Sequence, residues 1–261
     1  MKDKYKSLFS KLEPYCVCSP ATFNKIKYSQ LLKKIPDDKF FNPLLTSSQS
    51  FIEKVFKMDE MTFGEKNMAM ERWVFFDCAV MPGFAFGYAI QGRDISEADR
   101  KTLNISKNES FPISLYIAIP MEKQGKWFGH NLSSLNGKLE EDLSGLGFLT
   151  KAVALDLFGV EILVGATQWD SLALLIHKKF GVMKLLSALT PIHSQQNTLC
   201  YQTEICSLEF NLMSQLTSSP MGTLFSPNLE KLKKLQMEIE AGQEVFINNI
   251  YLDEEGLKFF I

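Results

Sequence analysis

The sequence predicts an α/β fold, and two stretches carry that prediction. In the first, a short apolar segment rich in β-branched residues, Val160–Ala166, is followed by apolar residues at helical spacing up to residue 182. A buried strand gives the first pattern and an amphipathic helix gives the second. In the other stretch, Ile113–Pro120, Ile or Leu recurs at every second position, as in a half-buried strand. Strands that alternate with helices along a chain are typical of α/β folds.

Both ends of the helix that follows Val160–Ala166 are signalled. Thr167 and Asp170 have the spacing of a capping box, which predicts the start of the helix. Gly181 stands where a residue in the left-handed conformation commonly ends a helix. The sequence therefore predicts one continuous helix between these signals.

Upstream, Phe51, Val55 and Phe56 fall on one face of a predicted helix. Two apolar runs within residues 73–90 flank a Pro-Gly pair, and this pattern predicts a β-hairpin with a tight turn. Residues 91–110 are polar and charged, and we expect them to form a surface loop.

Downstream, Met183–Thr190 and Thr198–Ile205 are predicted strands, joined by a segment in which His193 is expected to be solvated. A helix is predicted in the tail, capped by Ser226 and ended by Gly242.

Glycine precedes a predicted helix at two places, Gln124–Gly129 and 144–149. Glycine before a helix exposes backbone N–H groups and the positive end of the helix dipole, which together bind phosphate. Each segment is therefore a candidate phosphate-binding loop, and the alternative is that both are plain surface turns.

Composition excludes several classes of protein. The chain has 261 residues, 46% of them hydrophobic and 22% charged, with a net charge of −2, so no concentrated positive face for nucleic acid is expected. No apolar run is long enough to span a membrane, and the first residues lack the apolar core of a signal peptide. Five cysteines without a zinc-ligand pattern indicate reduced thiols, no metal site and a cytoplasmic location.

The helix after Val160–Ala166 resembles a motif of the GNAT acyltransferase superfamily. There the helix after the fifth strand reads roughly N-x-x-A-x-x-L-Y-x-K-x-G-F, and this chain has at those places Asp170, Ala173, Ile176, His177, Lys179, Gly181 and Val182. The motif Asn, Tyr and Phe are replaced by Asp170, His177 and Val182. The resemblance implies a mixed central sheet flanked by helices over residues 47–205, with an N-terminal extension, 1–46, and a C-terminal helical extension, 206–261, that packs on the domain.

The superfamily binds the pyrophosphate of an acyl-CoA on a loop that reads roughly Q/R-x-x-G-x-G/A between its fourth strand and the next helix. The first candidate loop resembles it and is followed by two more polar residues; its members are Gln124, Gly125, Lys126, Trp127, Gly129, His130 and Asn131. Trp127 stands where the central glycine belongs. Because this candidate follows the predicted strand Ile113–Pro120, the resemblance favours it.

The second candidate loop contains Gly145 and Gly147. With this loop, the fourth strand would be Leu139–Leu143, and the segment would be similar to the E-x-S-R-F-x-V strand of acyl-homoserine-lactone synthases. Those relatives take acyl chains from acyl carrier protein.

His177 takes the place of the superfamily Tyr that protonates the departing thiolate, and the alternative is a surface histidine at a helix end. The resemblance implies an acyltransferase with acyl-CoA or acetyl-CoA as co-substrate, or an acyl carrier protein as donor, and with an amine as acceptor. Asp77, Glu122 and Glu141 remain open as general base. The alternative function is a non-catalytic ligand-binding protein on the same scaffold, and a homodimer remains open.

Overall fold

A computed structural model describes residues 3–27, 34–192, 195–206, 222–254 and 256–261, so the prediction for His193 lies outside the described residues. The chain divides into two compact units. The first unit comprises residues 1–124 and 130–159, and the second comprises residues 125–129 and 160–261.

The first unit combines helices with a mixed set of strands. Its elements in chain order are α1 (Asp3–Lys11), β1 (Glu13–Cys18), α2 (Pro20–Phe23), β2 (Phe40–Phe41), α3 (Gln49–Phe63), a π-helix (Val74–Val80), β3 (Phe84–Gln91), α4 (Glu97–Leu103), β4 (Ser110–Pro112), β5 (Ser114–Pro120), the larger part of β6 (Lys126–Ser134) and α5 (Leu146–Leu157).

The strands of the first unit follow the order β2-β1-β3-β5-β6, and β4 also pairs with β3. β1 runs parallel to β2 and antiparallel to β3, along which Glu13 pairs with Ala89 and Cys18 with Phe84. Almost every residue of β1 and β3 is buried. These strands are therefore apolar on both faces, as sheet strands covered by helices are.

The second unit begins with the first residues of β6, Lys126–Gly129. Its further elements are β7 (Ile162–Gln168), α6 (Ala173–His177) with a 3-10 turn (Lys178–Phe180), β8 (Met183–Ser187), β9 (Thr198–Glu204), β10 (Leu224–Phe225), α7 (Leu229–Glu240), β11 (Phe246–Ile247), β12 (Asn249–Asp253) and β13 (Gly256–Phe260). The strand order is β6-β7-β9-β8-β11, and a second sheet has the order β10-β13-β12. β6 and β7 are parallel, while β9 is antiparallel to both of its neighbours.

Each unit thus contains helices together with parallel and antiparallel strand pairs, which confirms the predicted mixed α/β fold. The core of the second unit joins Trp169 and Leu174 to residues of the tail, among them Leu232, Leu235 and Phe259. Leu232 and Leu235 of α7 are therefore buried, while Leu229 at its start is exposed. Among the described residues, no helix is long and apolar enough to cross a membrane.

The hairpin predicted for residues 73–90 is wrong in its first half. Residues 74–80 form a π-helix, and only the second apolar run becomes a strand, β3. A continuous apolar run does not distinguish a strand from a buried helix, so the pattern was ambiguous. The Pro-Gly pair ends the helix, and Gly83 packs against β5, where an added Cβ would lie 2.2 Å from the Ala118 carbonyl oxygen.

The predicted surface loop 91–110 contains the short helix α4, whose N-cap Ser96 accepts a hydrogen bond from the backbone N–H of Asp99. The tail helix exists, but its N-cap is Asn228, which accepts from Lys231 N–H, and not Ser226. Both starts carry an ordinary N-cap residue, and for the tail helix Asn228 lies two residues after the predicted Ser226.

The capping box predicted at Thr167 and Asp170 is also wrong. Thr167 belongs to β7, and α6 starts only at Ala173. The Asp170 carboxylate instead accepts a hydrogen bond from the Asn197 side chain at 3.3 Å. Gly181 has φ +157° and ψ −174°, which is not the left-handed helical region that was predicted.

Candidate functional site

The N-terminus of α5 is a helix end built on backbone groups. Gly145 is its N-cap, in the left-handed conformation with φ +90°, and no side chain of the described residues makes a capping hydrogen bond there. The Gly145 carbonyl accepts from Leu149 N–H, which closes the first turn. N–H groups at the start of a helix have no partner within the helix, and the helix dipole adds positive potential. The Leu146 N–H already donates to the Leu143 carbonyl at 3.0 Å, so an anion such as phosphate would bind the N–H groups that follow it in the first turn.

An acidic segment precedes this helix end. The backbone N–H groups of Glu140 and Glu141 donate to the buried carboxylate of Asp99, at 2.8 and 3.1 Å. Lys11 forms an ion pair with Glu141 at 2.6 Å, and Asp142 accepts from Ser144 N–H. These carboxylates oppose the approach of a highly charged anion, so attraction at this end depends on the backbone N–H groups and the dipole.

α5 is held firmly in the first unit, because every residue except Asp156 is buried. The Thr150 hydroxyl donates to the Ser114 hydroxyl of β5 at 2.7 Å. Lys151 is 1% exposed, and its Nζ lies 5.6 Å from the centre of the Tyr116 ring. Burial lowers the pKa of Lys151 to about 7, because desolvation disfavours the ammonium.

A second group of polar side chains in the first unit surrounds Asp59, a buried residue of α3. Its carboxylate accepts hydrogen bonds from Met70 N–H at 2.7 Å, from the Asn131 side chain at 2.9 Å and from the Ser133 hydroxyl at 3.3 Å. The His130 side chain is exposed, but partial desolvation by its surroundings lowers its pKa, and the nearby Asp59 opposes that shift. His130 is therefore neutral at pH 7 and can accept a proton.

Sequence reasoning missed Asp59, although a signal was present. Asp59 lies four residues after Val55 and next to Met58, on the buried face of α3. A carboxylate on an otherwise apolar helix face is expected to be paired or functional.

Three residues remained open as general base. Asp77 and Glu122 are exposed, and Glu141 forms an ion pair with Lys11.

His177 is the last residue of α6 in the second unit. Its ring centre lies 5.7 Å from that of Tyr201, with the two planes inclined by 32°. Tyr201 is paired with Gly165 across β9 and β7, and a Cβ at Gly165 would lie 2.6 Å from the Tyr201 hydroxyl. Burial raises the pKa of Tyr201, so its hydroxyl stays protonated. The imidazole of His177 and the hydroxyl of Tyr201 thus belong to neighbouring side chains, and the missing side chain at Gly165 provides the space for the Tyr201 ring.

The first candidate phosphate loop is corrected by the structure. Gln124 is exposed in a turn, and Gly125, with φ +74°, accepts through its carbonyl from the N–H groups of Glu161 and Ile162. The next residues lie within β6, among them Lys126, Trp127, Gly129, His130 and Asn131. No helix follows, because this segment pairs with β7. Backbone N–H groups committed to a strand ladder cannot form a helix N-terminus.

The second candidate loop has the predicted helix, since Gly145 and Gly147 begin α5, but Gly147 is buried. Leu139–Leu143 is not a strand, and the strand that precedes α5 is β6.

In the first unit, His130 and Asn131 lie near Asp59. In the second unit, Gly129 pairs with Gly165, which is paired in turn with Tyr201 beside His177. Among the residues described, no group of three metal-ligating side chains occurs.

Comparison with known proteins gave no matching family model and no matching curated protein. Solved structures are similar at low identity. The ribosomal-protein-S18-alanine N-acetyltransferase from Escherichia coli is 10% identical, with a TM-score of 0.42, over 68% of this chain and 97% of that one. A CoA-dependent acyl-homoserine lactone synthase is 8% identical, with a TM-score of 0.42, over 72% of this chain and 92% of that one. An acetyltransferase from Bacillus subtilis in complex with CoA is 9% identical, with a TM-score of 0.36, over 59% and 93%.

Proposed function

We propose that this chain is an acyltransferase that moves an acyl group from the thioester of an acyl-CoA to an amine. The observation that carries the proposal is the junction between β6 and α5. There a strand leads into a buried helix that begins at a left-handed glycine with no capping side chain among the described residues. Such a helix end suits the phosphates of a CoA-type donor.

The reaction consists of one addition and one elimination. The nitrogen of a neutral amine attacks the thioester carbonyl carbon, a C–N bond forms, and the carbonyl electrons move onto oxygen. The intermediate then collapses, the C–S bond breaks, and the thiolate leaves. The nitrogen must lose a proton and the sulfur must gain one, so the reaction needs a proton acceptor and a proton donor.

The neutral imidazole of His130 is suited to the first task, because partial desolvation lowers its pKa while the side chain stays exposed to a substrate. Asp59 supports this role by fixing Asn131, the neighbour of His130 on β6. His177 is suited to the second task, with the protonated hydroxyl of Tyr201 beside it. Activity is expected to fall in acid, where His130 becomes protonated and can no longer accept a proton.

The donor is proposed to be acetyl-CoA or a longer acyl-CoA rather than an acyl carrier protein. Glu140, Glu141 and Asp142 precede the helix end and would repel the acidic surface expected of a carrier protein. The repulsion also acts on CoA, but CoA reaches the backbone N–H groups with a single compact pyrophosphate.

A second candidate function is non-catalytic binding of a CoA-type ligand on this scaffold. One observation favours it: Asp170, which stands in place of the motif Asn, is exposed and bonded to Asn197 outside α6. In that case the chain would keep the donor site but lack turnover.

The test is free thiol release. The purified chain is mixed with acetyl-, butyryl- or decanoyl-CoA and a panel of primary amines, and thiol is followed over time, with each mixture lacking protein as the control. Amine-dependent release supports acyl transfer. Raised thermal stability with CoA but no release with any amine supports the binding protein. If CoA causes no thermal stabilisation and no amine causes thiol release, both functions are contradicted.

A further inference from the structure

A cavity of about 510 Å³ lies in the second unit, and neither proposed function uses it. The cavity lies between three segments: the end of the loop before α6, the start of α7, and the β12–β13 hairpin. Its floor contains Trp169 and Leu232, which are 3% and 4% exposed. The size lies within the range of about 300–1,000 Å³ that is common for small-molecule sites.

The walls of the cavity are apolar and unusually open. Leu172, Leu229 and Leu252 line it and are 59%, 54% and 54% exposed. A single exposed leucine needs no explanation, but several that converge on one cavity form a surface that an apolar group can cover. Gly256 also lines the cavity, and a Cβ added there would meet nothing within 4 Å, so the cavity is open at this position. The cavity therefore fits a compact apolar body.

The rim carries negative charge. Asp170 is the one charged residue among the described residues that line the cavity, and it is exposed. Its Oδ1 accepts a hydrogen bond from the side chain of Asn197, which also lines the cavity. The other polar side chains that line the cavity, among the described residues, are the neutral amides of Gln196, Asn197 and Asn228. A carboxylate or phosphate ligand would be repelled here, and an ammonium group would be attracted.

We propose that this cavity binds a primary amine that carries a compact aromatic or branched aliphatic body. The body packs against Trp169 and the exposed leucines, and the ammonium group donates to the Asp170 carboxylate. Apolar contact gives most of the affinity, while the charge pair selects an amine over a neutral or anionic molecule of the same shape. This inference does not depend on acyl transfer, because it concerns binding alone.

Phenethylamine is the probe, titrated into the full chain by calorimetry at low ionic strength without any thioester. 2-Phenylethanol and 3-phenylpropionate serve as its neutral and anionic counterparts. The amine should bind about three-fold tighter than the alcohol or better, as one exposed charge pair allows, and the propionate should bind weakest. Asp170→Asn should bring the amine down to the affinity of the alcohol, which itself should not change.

Matched leucine variants test the location. Leu252→Gln should weaken the amine and the alcohol several-fold, because it places a polar group in the apolar wall. Leu224→Gln is the control: Leu224 is 53% exposed in β10 of the same unit and lies outside the cavity lining. Both side chains are exposed, so both variants should keep the melting temperature of the parent chain.

Three results would overturn the proposal. They are equal affinity of the parent for amine and alcohol, equal weakening by the two leucine variants, and a concentration-dependent dimer that only Leu252→Gln dissociates. The last result would assign the cavity to a second copy of the chain. None of them bears on thiol release, which is measured separately.

Discussion

α5 and α6 each follow a strand of the parallel pair β6–β7, and neither N-cap residue, Gly145 or Leu172, makes a side-chain capping hydrogen bond. They differ in how much of each helix is buried. α5 has 12 residues, and Asp156 alone escapes burial. α6 has 5 residues, of which Leu174 is buried, and it continues as a 3-10 turn. Burial, rather than the signals at its ends, therefore decides how long each helix is.

The same difference suits the two helices to different tasks. A buried helix holds its N-terminal N–H groups in fixed positions, as a backbone anion site requires. A short helix with a partly exposed end can present a side chain, and His177 stands at that end, beside Tyr201. Burial therefore suits α5 to anion binding, and the exposed end of α6 suits His177 to proton donation.

The comparison predicts unequal costs for truncating the two helices. Leu149→Ala in α5, where the side chain is fully buried, should lower the free energy of unfolding by about 3 kcal/mol. Leu175→Ala in α6, where the side chain is only partly buried, should cost about 1 kcal/mol or less. Urea denaturation of both variants and the parent measures this. Equal costs would contradict the contrast in burial.

His177→Phe tests the task assigned to α6. The variant keeps an aromatic ring but removes the proton, so turnover should fall by about 100-fold while CoA affinity is retained. Lys179→Gln, two residues further on and exposed, is the control and should leave turnover unchanged. Thiol release and CoA titration are both measured. A His177→Phe variant with full turnover would show that the proton comes from elsewhere.

Lys151 allows the burial of α5 to be measured through pH. Its pKa is about 7 in the folded chain but is usually near 10.4 in an unfolded one, so the unfolded state holds the extra proton between these values. Stability should therefore rise with pH across this window, by up to about 1.4 kcal/mol per pH unit. Lys151→Met should remove that slope. The difference in unfolding free energy between parent and variant should therefore be about 2 kcal/mol smaller at pH 8.5 than at pH 7. Parallel curves from urea denaturation would mean that Lys151 is solvated.

Much of the fold could be predicted from periodicity. Alternation in Ile113–Pro120 and the apolar run at Val160–Ala166 gave the strands β5 and β7 within two residues of their bounds. Residues 74–80 could not be assigned, because a buried π-helix and a buried strand share the same unbroken apolar pattern. β1 was missed since its six residues include Pro14 and two cysteines, and its pairing with β2 and β3 makes it a strand.

The candidate site was predicted less well than the fold. Glycine spacing drew attention to Gln124–Gly129, but pairing with β7 places Lys126–Gly129 in a strand. Local sequence does not contain the partner strand, so it could not show this. Asp59 was missed for a related reason: its hydrogen-bond partners Asn131 and Ser133 are more than 70 residues away in the chain.

CoA binding by two glycine variants tests the central claim, that the N-terminus of α5 holds the donor. Gly145 and Gly137 have φ +90° and +78°, so valine strains the backbone similarly at both, but only Gly145 begins the helix. By calorimetry, Gly145→Val should bind CoA about five-fold more weakly than the parent, as expected for disturbing a helix-end anion site. Gly137→Val should bind as the parent does. If Gly145→Val binds CoA as tightly as the parent, the donor does not bind at α5 and the account is wrong.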